Sequence, residues 1–301
     1  MKIKVGRYSV DITHPEKILF GKSGFTKQDF IDYYLTIAPT MLPHVMDRPI
    51  SMQRFPQGIH EEIFFQKDAA DYFPSWIQRF PVAKQAGGSV NYVVINKPAT
   101  LIYLANQACV PHIWLSTTGN VHKPDRLIFD VDPPDEHSFD KVQIVARYLK
   151  EILDALDLPS FYMLTGSRGA HVVIPLKRNH TFDETRTFAR DIAELLAQQF
   201  PKLITVDVRK SKRGKRIFLD WLRNGFGATA VAPYAIRALE GAPIAAPVTW
   251  QELQKKGMFS QKYTIQNIMK RINKNDDIWH NIDKHAVTLK KAQKKLEKVI
   301  V

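Results

Sequence analysis

The chain of 301 residues contains one cysteine, Cys109, so no disulfide can form within it and a cysteine-rich zinc site is excluded. It also lacks an apolar run of membrane-spanning length, and its first residues lack the apolar core of a signal peptide. These absences predict a cytoplasmic protein with no membrane partner. We expect Cys109 itself to be a small buried hydrophobic residue.

The chain has fewer acidic than basic residues, with 30 Asp and Glu and 43 Lys and Arg, which gives a net charge of +13. This excess favours an anionic partner, and nucleic acid is the commonest such partner for a basic protein. The hydrophobic content of 45% and the charged content of 24% are otherwise ordinary for a globular chain with ample core.

The segment Arg126–Asp132 is a short apolar run that ends in two aspartates one residue apart, and two prolines follow it. Side chains alternate along a strand, so Asp130 and Asp132 are expected on one face at a strand end. Like charges this close repel, so the pair indicates a divalent metal site, with a solvated strand end as an equally good alternative.

A second predicted strand ends in Asp220. Three strand-borne carboxylates at one point would hold two divalent ions, which neutralise a triphosphate and orient an in-line attack. The alternative for Asp220 alone, a surface acid paired with a nearby arginine, is the commoner case.

A Gly-rich segment, Thr165-Gly-Ser-Arg-Gly-Ala-His171, predicts a tight turn before another strand. Ser167 and Arg168 can present donors to an oxyanion there, although a plain hairpin connection is the simpler alternative. His112 stands among apolar residues, where a structural histidine is commoner than a catalytic one.

Basic and aromatic residues form two further candidate surfaces. The run from Lys210 to Arg216 is either a solvated face or, beside the Asp220 strand, a contact to nucleic acid. Phe64 and Phe65, followed by Lys67, combine aromatic and basic side chains as base-stacking surfaces do, although paired phenylalanines are more often core.

Periodicity and capping signals predict the main elements. A capping box at Thr26 and Asp29 begins a first helix. Further elements are a helix over 138–157 capped by Ser138, a strand, turn and strand over 161–176, a helix over 182–199, a strand over 215–221 and a Lys-rich helix over 283–299. The order from residue 124 predicts an α/β arrangement around one sheet, beside a separate N-terminal module.

The motifs Asp130-Val-Asp132, Thr165 to His171 and Phe218-Leu-Asp220, in this order, resemble those of archaeo-eukaryotic primases. The strongest resemblance is to the polymerase domain of bacterial ligase D, the end-joining repair polymerase, and it extends over nearly the whole chain. Further segments that carry it are His14-Pro-Glu-Lys17-Ile-Leu-Phe, Gly24-Phe-Thr-Lys27, Arg54-Phe-Pro, Phe64-Phe-Gln-Lys67, His112-Ile-Trp, Arg223-Asn and Ala232-Pro-Tyr-Ala-Ile-Arg237.

The resemblance implies an α/β (α+β) fold with an archaeo-eukaryotic primase-like catalytic sheet flanked by helices. Residues 116–301 would form this catalytic primase-polymerase module. Residues 1–115 would form an N-terminal α/β module that binds DNA ends and packs beside it, in one compact unit overall.

The resemblance also implies roles for individual residues. Asp130, Asp132 and Asp220 would be catalytic and would hold two Mn²⁺ or Mg²⁺ ions. The incoming nucleotide would be lined by His112, Thr165, Ser167, Arg168, His171, Arg223 and Arg237. A downstream 5′-phosphate would be bound by His14, Lys17 and Lys27. DNA would be contacted by Arg54, Phe64, Phe65, Lys67 and Arg213, the phenylalanines stacking near the templating base and Arg213 positioning the primer end.

The implied function is a template-directed nucleotidyltransferase that adds ribo- or deoxyribonucleotides to a primer 3′ end at gaps or bridged double-strand breaks. Its partners would be DNA with gaps or broken ends, nucleoside triphosphates, a DNA ligase module and an end-bridging protein of the Ku type, at the nucleoid. Three alternatives are a primase that starts chains de novo, a non-catalytic DNA-end-binding module of a ligase complex, and a metal-dependent nuclease. The acid trio argues against the second, and the basic set Arg168, His171 and Arg237 against the third.

Overall fold

Two strand-rich units make up the fold in a computed structural model that describes residues 1–84, 87–275 and 277–300. The first unit contains residues 1–119, 229–245 and 263–274. The second contains residues 120–228 and 246–262 and the C-terminal residues from 275.

The strands are β1 (Lys2–Val5), β2 (Tyr8–Asp11), β3 (Arg48–Arg54), β4 (Phe64–Gln66), β5 (Arg79–Ala83), β6 (Ser89–Ile95), β7 (Cys109–Trp114), β8 (Arg126–Asp132), β9 (Phe161–Leu164), β10 (Ala170–Pro175), β11 (Ile204–Thr205), β12 (Ile217–Asp220), β13 (Thr229–Val231) and β14 (Ala246–Val248). The helices are α1 (Lys27–Val45), α2 (Pro98–Asn106), α3 (Phe139–Ala155), α4 (Phe182–Gln199), α5 (Lys210–Arg213), α6 (Trp250–Leu253), α7 (Ile268–Asn275) and α8 (Lys290–Ile300). No helix of these described ranges is long and apolar enough to cross a bilayer.

The first unit is built on an antiparallel sheet in the order β13-β7-β3-β6-β5, and β4 also pairs with β3. Helix α1 packs against α2. The capping box predicted for α1 is present, because the Thr26 hydroxyl accepts a bond from the Asp29 N–H and the Asp29 carboxylate accepts one from the Thr26 N–H. Cys109 is buried, as expected.

The two units divide the chain differently from the contiguous boundary at residues 115 and 116 that the sequence suggested. Strand β13 pairs with β7 in the first unit, with Val231 opposite His112, so that residues 229–245 belong to this unit. Such a pairing joins residues more than a hundred positions apart, and a reading of local sequence does not reveal it.

The second unit is built on a sheet in the order β11-β12-β8-β10-β9-β14. All of its neighbours are antiparallel except β11 and β12. Strand β8 lies inside the sheet, between β12 and β10, and its side chains Leu127, Phe129 and Val131 are fully buried on one face. The other face therefore carries Asp130 and Asp132, as the alternation of side chains requires.

Two helix predictions need correction. Ser138 precedes α3, but its hydroxyl donates to the Asp135 carboxylate at 2.9 Å and makes no capping bond to α3. The C-terminal helix begins at Lys290, not at residue 283, because residue Val287 bridges to Leu176 beside β10 and exchanges backbone bonds with Pro175 and Lys177. The strand predicted over 215–221 is limited to β12.

Thr181 and Ser138 form a matched pair for testing this difference in capping. Thr181 accepts a bond from the Glu184 N–H at the start of α4, so we expect Thr181→Ala to lower the free energy of unfolding by about 1 kcal/mol. Ser138→Ala removes no capping bond and should cost less. Urea denaturation of both variants measures the difference, and equal losses would contradict the assignment of the caps.

Candidate active site

Three acidic side chains gather on one face of the second sheet. Asp220 on β12 lies directly opposite Asp130 on β8, and His171 on β10 lies opposite Asp130 on its other side. Cross-strand partners of a sheet share a face, so His171, Asp130 and Asp220 form a row across three strands. Asp132 follows two residues after Asp130 on the same face, opposite Phe218.

Arginine side chains neutralise this row. The Arg223 Nε lies 3.2 Å from the Asp130 Oδ2 and 3.3 Å from the Asp220 Oδ2, so one guanidinium bridges both carboxylates. Asp132 is paired with Arg168 at 3.1 Å and with Arg213 at 3.6 Å. Three carboxylates are thus balanced by three guanidinium groups.

His171 adds a further contact, with its Nε2 lying 3.6 Å from the Asp130 Oδ1. Its other ring nitrogen, Nδ1, is buried and has no hydrogen-bond partner among the described residues. A buried polar atom without a partner is costly, and this one is therefore a candidate contact for a ligand.

The pKa values follow from these neighbours. Burial acts to raise the pKa of Asp130, but His171 and Arg223 outweigh it and lower that pKa to about 2. Burial raises the pKa of Asp132 and of Asp220, and the nearby Asp130 acts in the same direction. Although burial opposes it, the carboxylates of Asp130 and Asp220 raise the pKa of Arg223.

The turn between β9 and β10 supplies the remaining nucleotide candidates of this unit. Both the N–H and the hydroxyl of Thr165 donate to the Gly169 carbonyl, and the Ser167 N–H donates to the Thr165 hydroxyl oxygen. A Cβ at Gly169 would lie 2.1 Å from the Val131 carbonyl oxygen, so only glycine allows this approach to β8. The exposed Arg168 reaches from the turn to Asp132.

Two fixed residues support the acids. The Arg213 guanidinium donates to the carbonyls of Asp207 and Val208 and lies 3.6 Å from the centre of the Phe218 ring. Asn224, which is fully buried, accepts a bond from the Ile128 N–H and donates to the Ile128 carbonyl. The motif Arg223-Asn contains Asn224, but nothing in the local sequence indicates its bonds to β8.

The oxygen atoms of the three carboxylates show whether the site suits a divalent metal ion. Carboxylate oxygens are the ligands that Mg²⁺ and Mn²⁺ prefer, and three are close together on one face. Within residues 1–84, 87–275 and 277–300, however, no group of three or more His, Cys, Asp and Glu is arranged to hold a metal ion. In the structure, the Arg223 guanidinium supplies the positive charge between Asp130 and Asp220. The role of the three acids as metal ligands stays a prediction.

The residues predicted to bind a 5′-phosphate lie together in the first unit. His14, Lys17 and Lys27 line a cavity of about 220 Å³, which Arg54 also lines. Lys27 is buried, its Nζ donates to the Thr13 carbonyl and hydroxyl, and burial, followed by the nearby Lys17, lowers its pKa to about 8.

The aromatic pair lies in β4 of the same unit. Phe64 and Phe65 are both exposed, so the core alternative is wrong for them, and Phe65 contacts the His112 ring edge-on at 5.1 Å. Arg54 donates to Gln66, Tyr72 and Gln107 and lies over the Phe64 ring at 5.8 Å. Lys67 is exposed beyond β4, and Arg237 is half-buried in residues 229–245.

The geometry therefore brings the predicted residues together in two groups. The second unit holds Asp130, Asp132, Asp220, Thr165, Ser167, Arg168, His171, Arg213 and Arg223. The first unit holds His14, Lys17, Lys27, Arg54, Phe64, Phe65, Lys67, His112 and Arg237. The binding roles of all these residues stay predictions.

Comparison with known proteins points to one family. Residues 26–279 match the family model described as LigD, primase-polymerase domain. The chain is 32% identical over 280 residues to the multifunctional non-homologous end joining protein LigD of Mycolicibacterium smegmatis, covering 92% of this chain and 36% of that protein. It is 33% identical over 267 residues to the bifunctional non-homologous end joining protein LigD of Bacillus subtilis, covering 88% of this chain and 43% of that protein. The chain thus spans less than half the length of these two relatives.

A solved structure agrees with the sequence relatives. The polymerase domain from Mycobacterium tuberculosis ligase D in complex with DNA superimposes with a TM-score of 0.85 at 31% sequence identity. The match covers 92% of this chain and 99% of that one.

The bridging role of Arg223 can be tested without any activity. Arg223→Gln leaves Asp130 and Asp220 facing each other without the charge between them. We expect it to lower the free energy of unfolding in EDTA by about 1–2 kcal/mol, a moderate value because Arg223 is partly exposed.

Arg190→Gln is the matched control. Arg190 is exposed to a similar degree, and within the described part of the chain it pairs with the surface acids Asp191 and Glu194, so its loss should be close to zero. Urea denaturation compares the two variants, and equal stability of both would contradict the bridge.

Proposed function

The chain belongs to the LigD primase-polymerase domain family, and from this premise we propose that it is a template-directed nucleotidyltransferase of DNA repair. It adds ribo- or deoxyribonucleotides to a primer 3′ end at gaps or bridged double-strand breaks. The observation that carries the proposal is the row of Asp130 and Asp220 on neighbouring strands, with Asp132 on the same face.

The acids are assigned the catalytic role. Asp130, Asp132 and Asp220 would hold two Mn²⁺ or Mg²⁺ ions, which would neutralise the triphosphate and the developing charge on the attacking and leaving oxygens. The Arg223 guanidinium bridges two of these carboxylates in the structure, so it would have to release them for an ion to be held there. Once released from the acids, the Arg223 guanidinium would be a donor suited to a phosphate oxygen.

The nucleotide is bound by the donors around this row. Thr165, Ser167 and Arg168 present hydroxyl, backbone and guanidinium donors from the turn, which suits the oxygens of a triphosphate. His171 offers its buried Nδ1. From the resemblance we also assign a nucleotide-binding role to His112 and Arg237 of the first unit, and Arg213 to the primer end.

DNA is assigned to the first unit. The exposed Phe64 and Phe65 suit stacking on unpaired bases, because every base has an aromatic face, with Arg54 and Lys67 beside them for the backbone. The cavity lined by His14, Lys17 and Lys27 suits a terminal phosphate, which carries two negative charges. A DNA ligase module and an end-bridging protein of the Ku type are proposed partners at the nucleoid, since relatives are named for end joining.

The acid row is tested with Asp130→Asn, which keeps the shape of the side chain and removes its charge. We expect primer extension on a 5′-phosphorylated gapped duplex to fall by at least ~100-fold, while binding of that duplex changes little. Asp140→Asn, at an exposed acid of α3, serves as the control and should extend normally.

Normal extension by Asp130→Asn would remove the catalytic assignment. The same assay without a primer separates a polymerase from a primase, because only a primase starts a chain on single-stranded template.

The phosphate cavity should give a pH-dependent affinity. Burial and the nearby Lys17 lower the pKa of Lys27 from 10.5 to about 8, partly offset by Glu16, so the free protein loses this positive charge as pH rises through 8. The affinity for a 5′-phosphorylated gap should therefore fall up to ~10-fold between about pH 7 and about pH 9, over which the phosphate keeps its charge.

Fluorescence anisotropy on phosphorylated and unphosphorylated gapped DNA measures this fall. Lys27→Met should bind weakly at both pH values, whereas Lys177→Met, at an exposed lysine of the second unit, should behave as the wild type. A wild-type affinity that does not change with pH would contradict the role of Lys27.

A further inference from the structure

The turn from Thr165 to Gly169 contacts β8, and it is also bonded to Ser260 and Gln261 of the same unit. The Gly169 main chain is pressed against the Val131 carbonyl, between the two aspartates of β8. On the far side, the buried Ser260 hydroxyl donates to the Gly169 carbonyl at 2.7 Å.

Gln261 makes the next bond of this kind. Its side-chain amide donates to the Ser167 carbonyl at 3.1 Å. Ser260 and Gln261 therefore bind two carbonyls of the turn, on either side of Arg168. The neighbouring side chains behave differently, because Phe259 is exposed and Lys262 lies over the Phe259 ring at 5.7 Å. This short segment thus turns its polar, uncharged side chains towards the turn.

We propose that Ser260 and Gln261 are positioning residues for the nucleotide, which hold the turn in the shape that binds the triphosphate. This inference rests on the proposed function and deepens it. Neither residue touches the acids or carries charge. Both act through the turn, by fixing the carbonyls so that the N–H groups, the Ser167 hydroxyl and Arg168 keep their directions.

Ser260 also affects whether the Thr165 hydroxyl is available to donate a hydrogen bond to a ligand. The Gly169 carbonyl has two lone pairs and receives three donors, namely the Thr165 N–H, the Thr165 hydroxyl and the Ser260 hydroxyl. The Thr165 N–H and the Ser260 hydroxyl suffice for that oxygen. The Thr165 hydroxyl can then exchange its bond for one to a phosphate oxygen, without leaving the buried carbonyl unsatisfied.

The test measures the affinity for ATP with MnCl₂ by calorimetry, in the absence of DNA. We expect Ser260→Ala and Gln261→Met each to weaken ATP binding by up to ~10-fold, the loss of one hydrogen bond, with melting temperatures close to the wild type. Ser260→Thr retains the hydroxyl and should restore most of the affinity. In primer extension, KM for ATP should rise while kcat stays close to the wild type.

Two controls make the result specific. Gln254→Met removes a comparable bond from a side-chain amide to the Gln143 carbonyl, away from the turn, and should bind ATP normally. Arg168→Ala tests the nucleotide site itself and should bind ATP weakly.

The outcomes separate the two proposals. Wild-type affinity in Ser260→Ala and Gln261→Met, together with weak binding by Arg168→Ala, would overturn the positioning role and leave the proposed function standing. Normal ATP binding by Arg168→Ala would overturn the nucleotide assignment of the turn and the positioning role with it. An equal loss in Gln254→Met would show a general effect of destabilisation and would also overturn the positioning role.

Discussion

Mutual repulsion among three carboxylates is the constraint on which the second unit depends. Asp130, Asp132 and Asp220 share one face of a sheet, and two of them are direct cross-strand partners. Like charges opposite each other destabilise a sheet, so the fold must supply positive charge there. Arg223 bridges two of the acids, and Arg168 pairs with the third. The side chains of Arg168 and Arg223 are partly exposed, so a cation could replace the positive charge that they place beside the acids.

The surrounding backbone has little freedom by contrast. Asn224 is bonded to the main chain of β8, and Gly169 lies against a carbonyl of the same strand where no side chain would fit. The acids thus sit on a rigid support, while the arginines that neutralise them are partly exposed. Rigid acids with exchangeable counter-charges suit a site that must receive a highly charged substrate and release a charged product.

The sequence predicted well whatever depends on local geometry. Alternation along a strand placed Asp130 and Asp132 on one face, and the capping box at Thr26 marked the start of α1. Pairing between distant segments could not be predicted from the sequence, and it explains where the structure differs from these expectations. Because Val287 bridges to Leu176, the last helix begins only at Lys290. Because β13 pairs with β7, residues 229–245 belong to the first unit. The roles of Asn224, Ser260 and Gln261 also follow from tertiary bonds that leave no local pattern.

We propose that Asp130, Asp132 and Asp220 together form one site for two cations, and a count of the bound ions is the sharpest test of this claim. Electron paramagnetic resonance of Mn²⁺ added to the protein with gapped DNA and a non-hydrolysable nucleoside triphosphate gives that count. We predict two bound ions in the wild type and fewer in Asp220→Asn, although this variant still binds the DNA. An unchanged number of ions in Asp220→Asn would contradict the claim.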